Sequence, residues 1–137
     1  MPEMPMDTTP PQFSTTIRVR DYETDAQGIV NNANYLHYLE ITRHEFCEAR
    51  GTSFRAMHEA GIDPVVRKIE IEYLESLTMG DTMRSSLRLE RHGARYVFVQ
   101  DIYNEATGHH VVHALVTVVV LEQGRLSRGD SVARLLL

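Results

Sequence analysis

An α+β fold, in which one antiparallel sheet packs on one long helix, is the fold class that the sequence predicts. Apolar residues recur every three or four positions in segment 32–50, as in a helix, whereas four later segments alternate apolar and polar residues, as in strands. Connections of about four to six residues between these later segments favour antiparallel hairpins. A sheet of about five strands on one central helix forms a two-layer domain.

The individual elements follow from the same patterns. The first strand is expected at 15–23, where branched residues alternate with arginines. The helix 32–50 is expected to end before Gly51, a residue favoured just beyond a helix, and a short helical turn is expected at 53–60. Period-two alternation then predicts the remaining strands at 65–76, 82–91, 95–104 and 110–122.

A chain of 137 residues is expected to form one domain. Residues 1–13 contain four of the five prolines and few residues that could pack in a core, so they are predicted to form a flexible tail. The folded domain is predicted at 14–123. Residues 124–137, with two glycines and several polar residues, are predicted to form a C-terminal extension.

Charge and hydropathy exclude several classes of protein. The net charge is −5 and the basic residues are scattered, so no nucleic-acid partner is expected. The longest apolar stretch, 111–121, is too short to span a bilayer, and the N-terminus lacks the basic start and apolar block of a secretory signal. Cys47 is the only cysteine, which excludes an intramolecular disulfide. A cytoplasmic protein without a membrane partner is therefore predicted.

The segment DAQGIVNNANYLHYLE, at 25–40, joins the first strand to the helix. Asn31 and Asn32 are suited to cap the helix start, and Gly28 is suited to a sharp turn in which the backbone approaches a ligand closely. Capping does not explain Asp25, a carboxylate seven residues before Asn32. Asp25 is either an ordinary turn residue, a role that aspartate favours, or a residue with a chemical role.

This segment, with its strand before it and its helix after it, resembles the hotdog-fold thioesterases, and more closely the 4-hydroxybenzoyl-CoA thioesterase family. The resemblance extends over about residues 15–122 and includes the turn 79–81 before the third strand. Several family members carry His or Tyr where this chain has Asn32, so a contribution from that side chain stays open. The matching residues are Tyr22, Thr24, Asp25, Gly28, Val30, Asn31, Asn32, Tyr35 and Glu40.

The resemblance implies a curved antiparallel sheet wrapped around the long helix, and an enzyme that hydrolyses an acyl-CoA thioester without a cofactor. It implies that Asp25 is the catalytic carboxylate and that the backbone N–H of Asn32, or of a neighbouring residue at the helix start, binds the oxyanion. The implied assembly is a homodimer, with a tetramer of two dimers as the alternative. The implied substrate-binding residues are Tyr22, Gly28, Val30, Asn31 and Tyr35.

The chemistry of these residue types agrees with that implication. Thioester hydrolysis passes through a tetrahedral oxyanion, and the free N–H groups at a helix N-terminus are suited to stabilise it. Asp25 is suited either to act as general base on a water or to attack the carbonyl directly, and both routes stay open. Two other functions stay open as well: hydrolysis of acyl chains from acyl carrier protein, and a non-catalytic module that binds acyl thioesters. Glu40 is either a supporting acid or a solvated helix residue.

Neither the histidines nor the cysteine are expected to bind a metal or to react. On a regular strand His110 and His113 point to opposite faces, and His109 and His113 lie about 13 Å apart, so they cannot share one ion. Cys47 lies mid-helix among apolar neighbours, which favours a buried, inert thiol. No metal site is therefore predicted.

Overall fold

The structure, a computed structural model, describes residues 9–137, and its elements follow the predicted order. The strands form one antiparallel sheet in the order β1-β3-β4-β5-β2, with the short β6 paired to β5, which confirms the predicted α+β class. Within the described residues, no helix combines the length and hydropathy needed to cross a membrane. The elements are β1 (Phe13–Arg18), α1 (Asn32–Ala49), α2 (Phe54–Glu59), β2 (Ile62–Tyr73), β3 (Thr82–His92), β4 (Arg95–Asn104), β5 (His110–Glu122), β6 (Arg125–Leu126) and α3 (Asp130–Leu136).

α1 is the central helix, and local sequence defines both of its ends. The side chain of Asn31 caps the N-terminus by accepting the N–H of Ala33, and Gly51, with a φ of 80°, follows the C-terminus. Residues at helical spacing along one face are buried against the inner face of the sheet, where they join two apolar clusters. These buried residues are Tyr35, Tyr38, Leu39, Thr42, Arg43, Phe46 and Cys47.

A buried polar contact fixes α1 on β4. Nη1 of Arg43 donates to Oε1 of Gln100 over 3.0 Å, and the side-chain amide of Gln100 donates to the carbonyl of Leu39 over 3.0 Å. Burial lowers the pKa of Arg43. Because Arg43 and Gln100 are both buried, loss of either side chain would leave the other without its partner.

The N-terminal part of the fold differs from the prediction at two boundaries. β1 ends at Arg18, and Asp21–Glu23 form a 3₁₀ turn where the strand was expected to continue. β1 also begins at Phe13, inside the predicted tail, because the backbone of Gln12 already donates a hydrogen bond to β3 and the Phe13 ring packs on α1. Residues 1–8 of the predicted tail lie outside the described residues.

The predicted C-terminal extension, 124–137, carries β6 and α3 and packs on the sheet. Val132 and Leu136 of α3 belong to the same apolar cluster as residues of α1, β3, β4 and β5. The hydroxyl of Tyr96 on β4 donates to the carbonyl of Gly129, just before α3. The extension is therefore part of the folded core.

β5 contains a β-bulge at Val111, and the bulge overturns one prediction. Consecutive residues of β4 pair with Val112 and His110, so Val111 between them has no partner on β4. Val111 and Val112 are both fully buried in the core. A bulge interrupts the alternation of faces, so His110 lies on the same face as His113. The prediction that these two histidines point to opposite faces is wrong.

Candidate active site

The loop between β1 and α1 folds as a tight turn that presents Asp25. The N–H of Asp25 donates to the carbonyl of Ile29 over 2.9 Å, and the N–H of Gly28 donates to the carbonyl of Asp25 over 3.0 Å. The Asp25 carboxylate accepts the N–H of Gln27 over 2.8 Å, which makes an Asx turn. Gly28 has a φ of 81°, and a Cβ added there would meet no atom within 4 Å. Glycine is therefore favoured here by its backbone angle and not by lack of space.

One carbonyl connects this carboxylate turn to the start of α1. The oxygen of Glu23 accepts the N–H of Asn31 over 3.1 Å and the side-chain amide of Asn34 over 2.7 Å. The N–H of Val30, between the turn and the helix, donates to the carbonyl of Leu77 over 2.9 Å. The turn and the helix start are therefore parts of one hydrogen-bonded unit.

The first helical N–H, that of Asn32, is available to a ligand. Asn31 has an extended backbone, with φ −64° and ψ 138°, and its side chain accepts the N–H of Ala33 over 2.9 Å. Across residues 9–137, no group accepts a hydrogen bond from the N–H of Asn32. A helix N-terminus also carries about half a positive charge. The N–H of Asn32 is therefore suited to polarise a carbonyl oxygen, whereas that of Ala33 is already occupied.

Two tyrosines support this helix start. The hydroxyl of Tyr35 accepts the N–H of Leu77 over 3.0 Å, and its ring meets the edge of Tyr73 with centroids 5.6 Å apart. The hydroxyl of Tyr73 donates to the carbonyl of Asn32 over 3.2 Å. Tyr35 and Val30 are each only 2% exposed, so both pack in the core of this chain, although both were expected to contact substrate.

Exposed apolar side chains occur on the segments that build the site, including residue 79, which follows the Thr78 bridge to Ile29. Tyr22 is 76% exposed and Met79 is 60% exposed. Leu36 lies one helical turn after Asn32 and is also exposed. Exposed apolar groups beside a polar site are typical of a surface that binds a ligand or another chain. The predicted site residues exposed here are Tyr22, Asp25, Gly28, Asn31 and Asn32.

Two residues that build this site were not predicted from the sequence. Asn34 ties the helix to Glu23, and Tyr73 reaches the helix start from β2. A third asparagine within four residues of Asn31 was a usable signal for Asn34. Nothing local indicates Tyr73, because it lies 41 residues from its partner in the sequence.

Cys47 and Glu40 take no part in this site within one chain. Cys47 is fully buried, as predicted, and burial raises the pKa of its thiol to about 11. Glu40 is exposed and its carboxylate lies 3.5 Å from His44. It stands about 12 Å along the helix from Asn32, at 1.5 Å per residue. Of the two roles considered for Glu40, the structure favours a solvated helix residue.

Two concave surfaces of the single chain lie along α1, away from the carboxylate turn. A cavity of about 130 Å³ opens beside the second half of α1, and a second concavity runs along the exposed face of the same helix. Neither is lined by Asp25. The first is lined by Glu40, Arg43, His44, Phe54, Pro64, Val66, Phe98 and Val118. At the helix start itself, Asp25, Asn31 and Asn32 are exposed at the surface of one chain.

Known proteins share both the sequence and the architecture of this region. The long-chain acyl-CoA thioesterase FadM of Escherichia coli is 34% identical over 111 residues, which cover 80% of this chain and 83% of FadM. The chloroplastic acyl-acyl carrier protein thioesterase ATL3 of Arabidopsis thaliana is 32% identical over 82 residues, which cover 60% of this chain and 43% of ATL3. For ATL3 and a further curated relative, the chain spans about half of the relative's length.

The fold and the family of this chain are shown by a solved structure and by a family model. The crystal structure of a hypothetical protein from Aquifex aeolicus superposes with a TM-score of 0.83 and 30% identity, over 91% of this chain and 99% of that one. The model of the thioesterase-like superfamily matches residues 19–132. Because that match includes the carboxylate turn, the whole of α1 and every long strand except β1, the chain belongs to the thioesterase-like superfamily.

Proposed function

We propose that this protein hydrolyses an acyl-CoA thioester to the free acid and CoA. The observation that carries the proposal is the hydrogen-bonded unit that presents the Asp25 carboxylate and the unpaired N–H of Asn32 at one exposed surface. A carboxylate can serve as the general base or nucleophile in thioester hydrolysis, and a free N–H can serve as the oxyanion donor. The relationship to FadM, a long-chain acyl-CoA thioesterase, supports acyl-CoA as the substrate class.

In the proposed reaction, the thioester oxygen accepts the N–H of Asn32 and takes up negative charge as the carbonyl carbon is attacked. The partial positive charge of the helix N-terminus stabilises that oxyanion. Asp25 either removes a proton from the attacking water, or attacks the carbon itself to form an anhydride that water then hydrolyses. In both routes the C–S bond breaks, and CoA leaves as a thiolate that takes up a proton.

The residues next to this pair are proposed to hold the substrate. Gly28 and Asn31 flank the carboxylate turn and the helix start, and both are exposed. Tyr22, three residues before Asp25, is largely exposed and is suited to contact the acyl group or the pantetheine arm. These contacts would orient the thioester between Asp25 and Asn32.

A hydrolysis screen tests this function. Purified protein is expected to release CoA from at least one of short-chain, long-chain and aromatic acyl-CoAs, measured with a chromogenic thiol reagent. Cys47 is buried and should add no background to that assay. The same acyl groups on acyl carrier protein test the second candidate function, which the relationship to ATL3 favours. If acyl-acyl carrier protein were hydrolysed faster than acyl-CoA, it would be the substrate in place of acyl-CoA. If the protein bound either thioester without hydrolysing it, a non-catalytic module would be supported.

We also propose that two chains form a homodimer through β2. This strand of 12 residues lies at one edge of the sheet. Val65, Val66 and Ile69 on it are between 39% and 42% exposed. Native proteins pair or cover long apolar edge strands, because an open edge promotes aggregation. A second chain there would also add walls to a site that is open in one chain.

Light scattering at micromolar concentration is expected to give at least twice the chain mass of 15.7 kDa. A mass four times that of the chain would indicate a tetramer of two dimers. Ile69→Lys places a charge on the edge and is expected to shift the protein toward a monomer. Leu126→Lys, at an exposed leucine of β6, is the matched control and should leave the mass unchanged. A monomeric wild-type protein would contradict the proposed assembly.

A further inference from the structure

The bulge at Val111 places three metal-ligating side chains together on the outer face of the sheet. Asp101 on β4 pairs with His113 on β5, and the bulge brings His110 to the same face. The residues on either side of Asp101 are fully buried toward the core, so Asp101 points away from α1. This cluster therefore lies on the opposite side of the sheet from the central helix and apart from the carboxylate turn.

Both imidazoles point at a single carboxylate oxygen. Nε2 of His110 lies 2.8 Å from Oδ1 of Asp101, and Nδ1 of His113 lies 2.7 Å from the same atom. One ligand atom from each residue lies within 4.8 Å of the other two, and no other such group of three occurs within residues 9–137. We propose that Asp101, His110 and His113 bind a divalent transition-metal ion of the zinc class.

The distances between these atoms are close to those of a metal site. Zinc binds imidazole nitrogen and carboxylate oxygen at roughly 2.0–2.2 Å, which puts two ligands of a tetrahedral site roughly 3.4 Å apart. Each histidine nitrogen would therefore have to move from Asp101 by roughly half an ångström or slightly more. The side chains of Asp101, His110 and His113 are 22%, 32% and 17% exposed, so an ion and a water in the fourth position can reach them.

The surroundings of the cluster favour a cation. The ring of Tyr103 stacks on His110, with centroids 4.7 Å apart, and holds its plane. Glu72 on β2 is the pairing partner of His113 and adds a negative charge beside it. Two arginines carry opposing charge. Arg88 acts on His113, but its guanidinium lies 3.0 Å from a carboxylate oxygen of Glu90, which offsets that charge. The guanidinium of Arg84 lies 5.2 Å from the centroid of the Tyr103 ring and is separated from His110 by that ring.

The ligand types indicate the class of ion. Two imidazoles and one carboxylate suit zinc and its first-row neighbours, whereas magnesium and calcium prefer oxygen ligands. The competing structure is an ordinary hydrogen-bonded cluster, in which both imidazoles donate N–H groups to Asp101 and no ion binds. The sequence-based expectation of no metal site depended on regular alternation along β5, which the bulge removes.

Calorimetric titration with zinc chloride tests the proposal. The sample is untagged full-length protein that has been stripped of metal with a chelator, and the chelator is then removed. One zinc ion per chain is expected to bind at micromolar concentration. His110→Gln and His113→Gln each remove a ligand and should weaken binding by at least about tenfold, a loss that even outer contacts of a metal site produce. His109→Gln is the matched control, because His109 lies 3.1 Å from the carboxylate of Glu75 but, within residues 9–137, belongs to no group of three metal-ligating side chains. Its affinity for zinc should equal that of the wild type.

Thermal unfolding gives a second readout that is independent of hydrolysis. A ligand that binds the native state stabilises it, so zinc should raise the unfolding midpoint of the wild type and of His109→Gln. Zinc should leave the midpoint of the His110→Gln, His113→Gln double variant unchanged. Circular dichroism establishes that each variant is folded. Absence of saturable zinc binding by the wild type, or binding that survives in the folded double variant, would overturn the site. Equal affinity for magnesium chloride would overturn the class of ion.

Discussion

Replacement of Asp25 by asparagine is expected to lower thioester hydrolysis about 10²–10⁴-fold, the usual contribution of a positioned acid or base. The amide oxygen of asparagine can accept the N–H of Gln27, as the carboxylate does over 2.8 Å, so the Asx turn should survive. The substitution then removes only the charge and the basic oxygen. Turnover at saturating acyl-CoA is the measurement, with circular dichroism and substrate binding recorded on the same preparation.

Two controls make the Asp25→Asn result specific. Asp21→Asn applies the same substitution to an exposed carboxylate four residues earlier, which accepts the N–H of Tyr22 over 2.9 Å. It should retain wild-type turnover. Cys47→Ala should also retain it, because that thiol is buried and its raised pKa keeps it protonated. A catalytic base should leave the variant with about a hundredth of wild-type turnover or less. If folded Asp25→Asn kept more than about a tenth, Asp25 would not be the catalytic group.

The contrast between Asn32→Pro and Asn32→Ala is the second large expected effect. Proline deletes the N–H proposed to bind the oxyanion, and turnover should fall about 10²–10³-fold, the cost of one oxyanion donor. Proline is tolerated at the first helical position. The residue before it must be extended, and Asn31 already is, with φ −64° and ψ 138°. Alanine keeps the N–H, and its turnover should stay close to that of the wild type.

The cap provides the control for this pair of variants. Asn31 and not Asn32 caps α1, so Asn32→Ala should cost little stability. Asn31→Ala should instead lower the free energy of unfolding by about 1 kcal/mol, the typical value of such a cap. Denaturant unfolding of the three variants checks that order. Equal losses of turnover in Asn32→Ala and Asn32→Pro would assign the effect to the side chain, and no loss in either would exclude position 32 as the oxyanion donor.

The elements that were predicted well are those that depend on one buried face. The helix expected at 32–50 is Asn32–Ala49, and the strands expected at 95–104 and 110–122 have those bounds. β2 was expected at 65–76 but spans Ile62–Tyr73, so it starts three residues earlier and includes Pro64. β2 is an edge strand, where proline is tolerated, and Pro64 pairs with Val120 within it.

The α+β class, the central helix and the sharp turn at Gly28 could be predicted from the sequence, because periodicity, capping and turn formation act over a few neighbouring residues. The two tyrosines that support the helix start depend on the tertiary structure, since the contacts of Tyr35 and Tyr73 span 42 and 41 residues. The tertiary structure also decided the bulge at Val111, because pairing with β4 leaves that residue unmatched. A shift of one residue in a strand moves a side chain to the other face of the sheet. For this reason no pattern along β5 could place His110 beside His113.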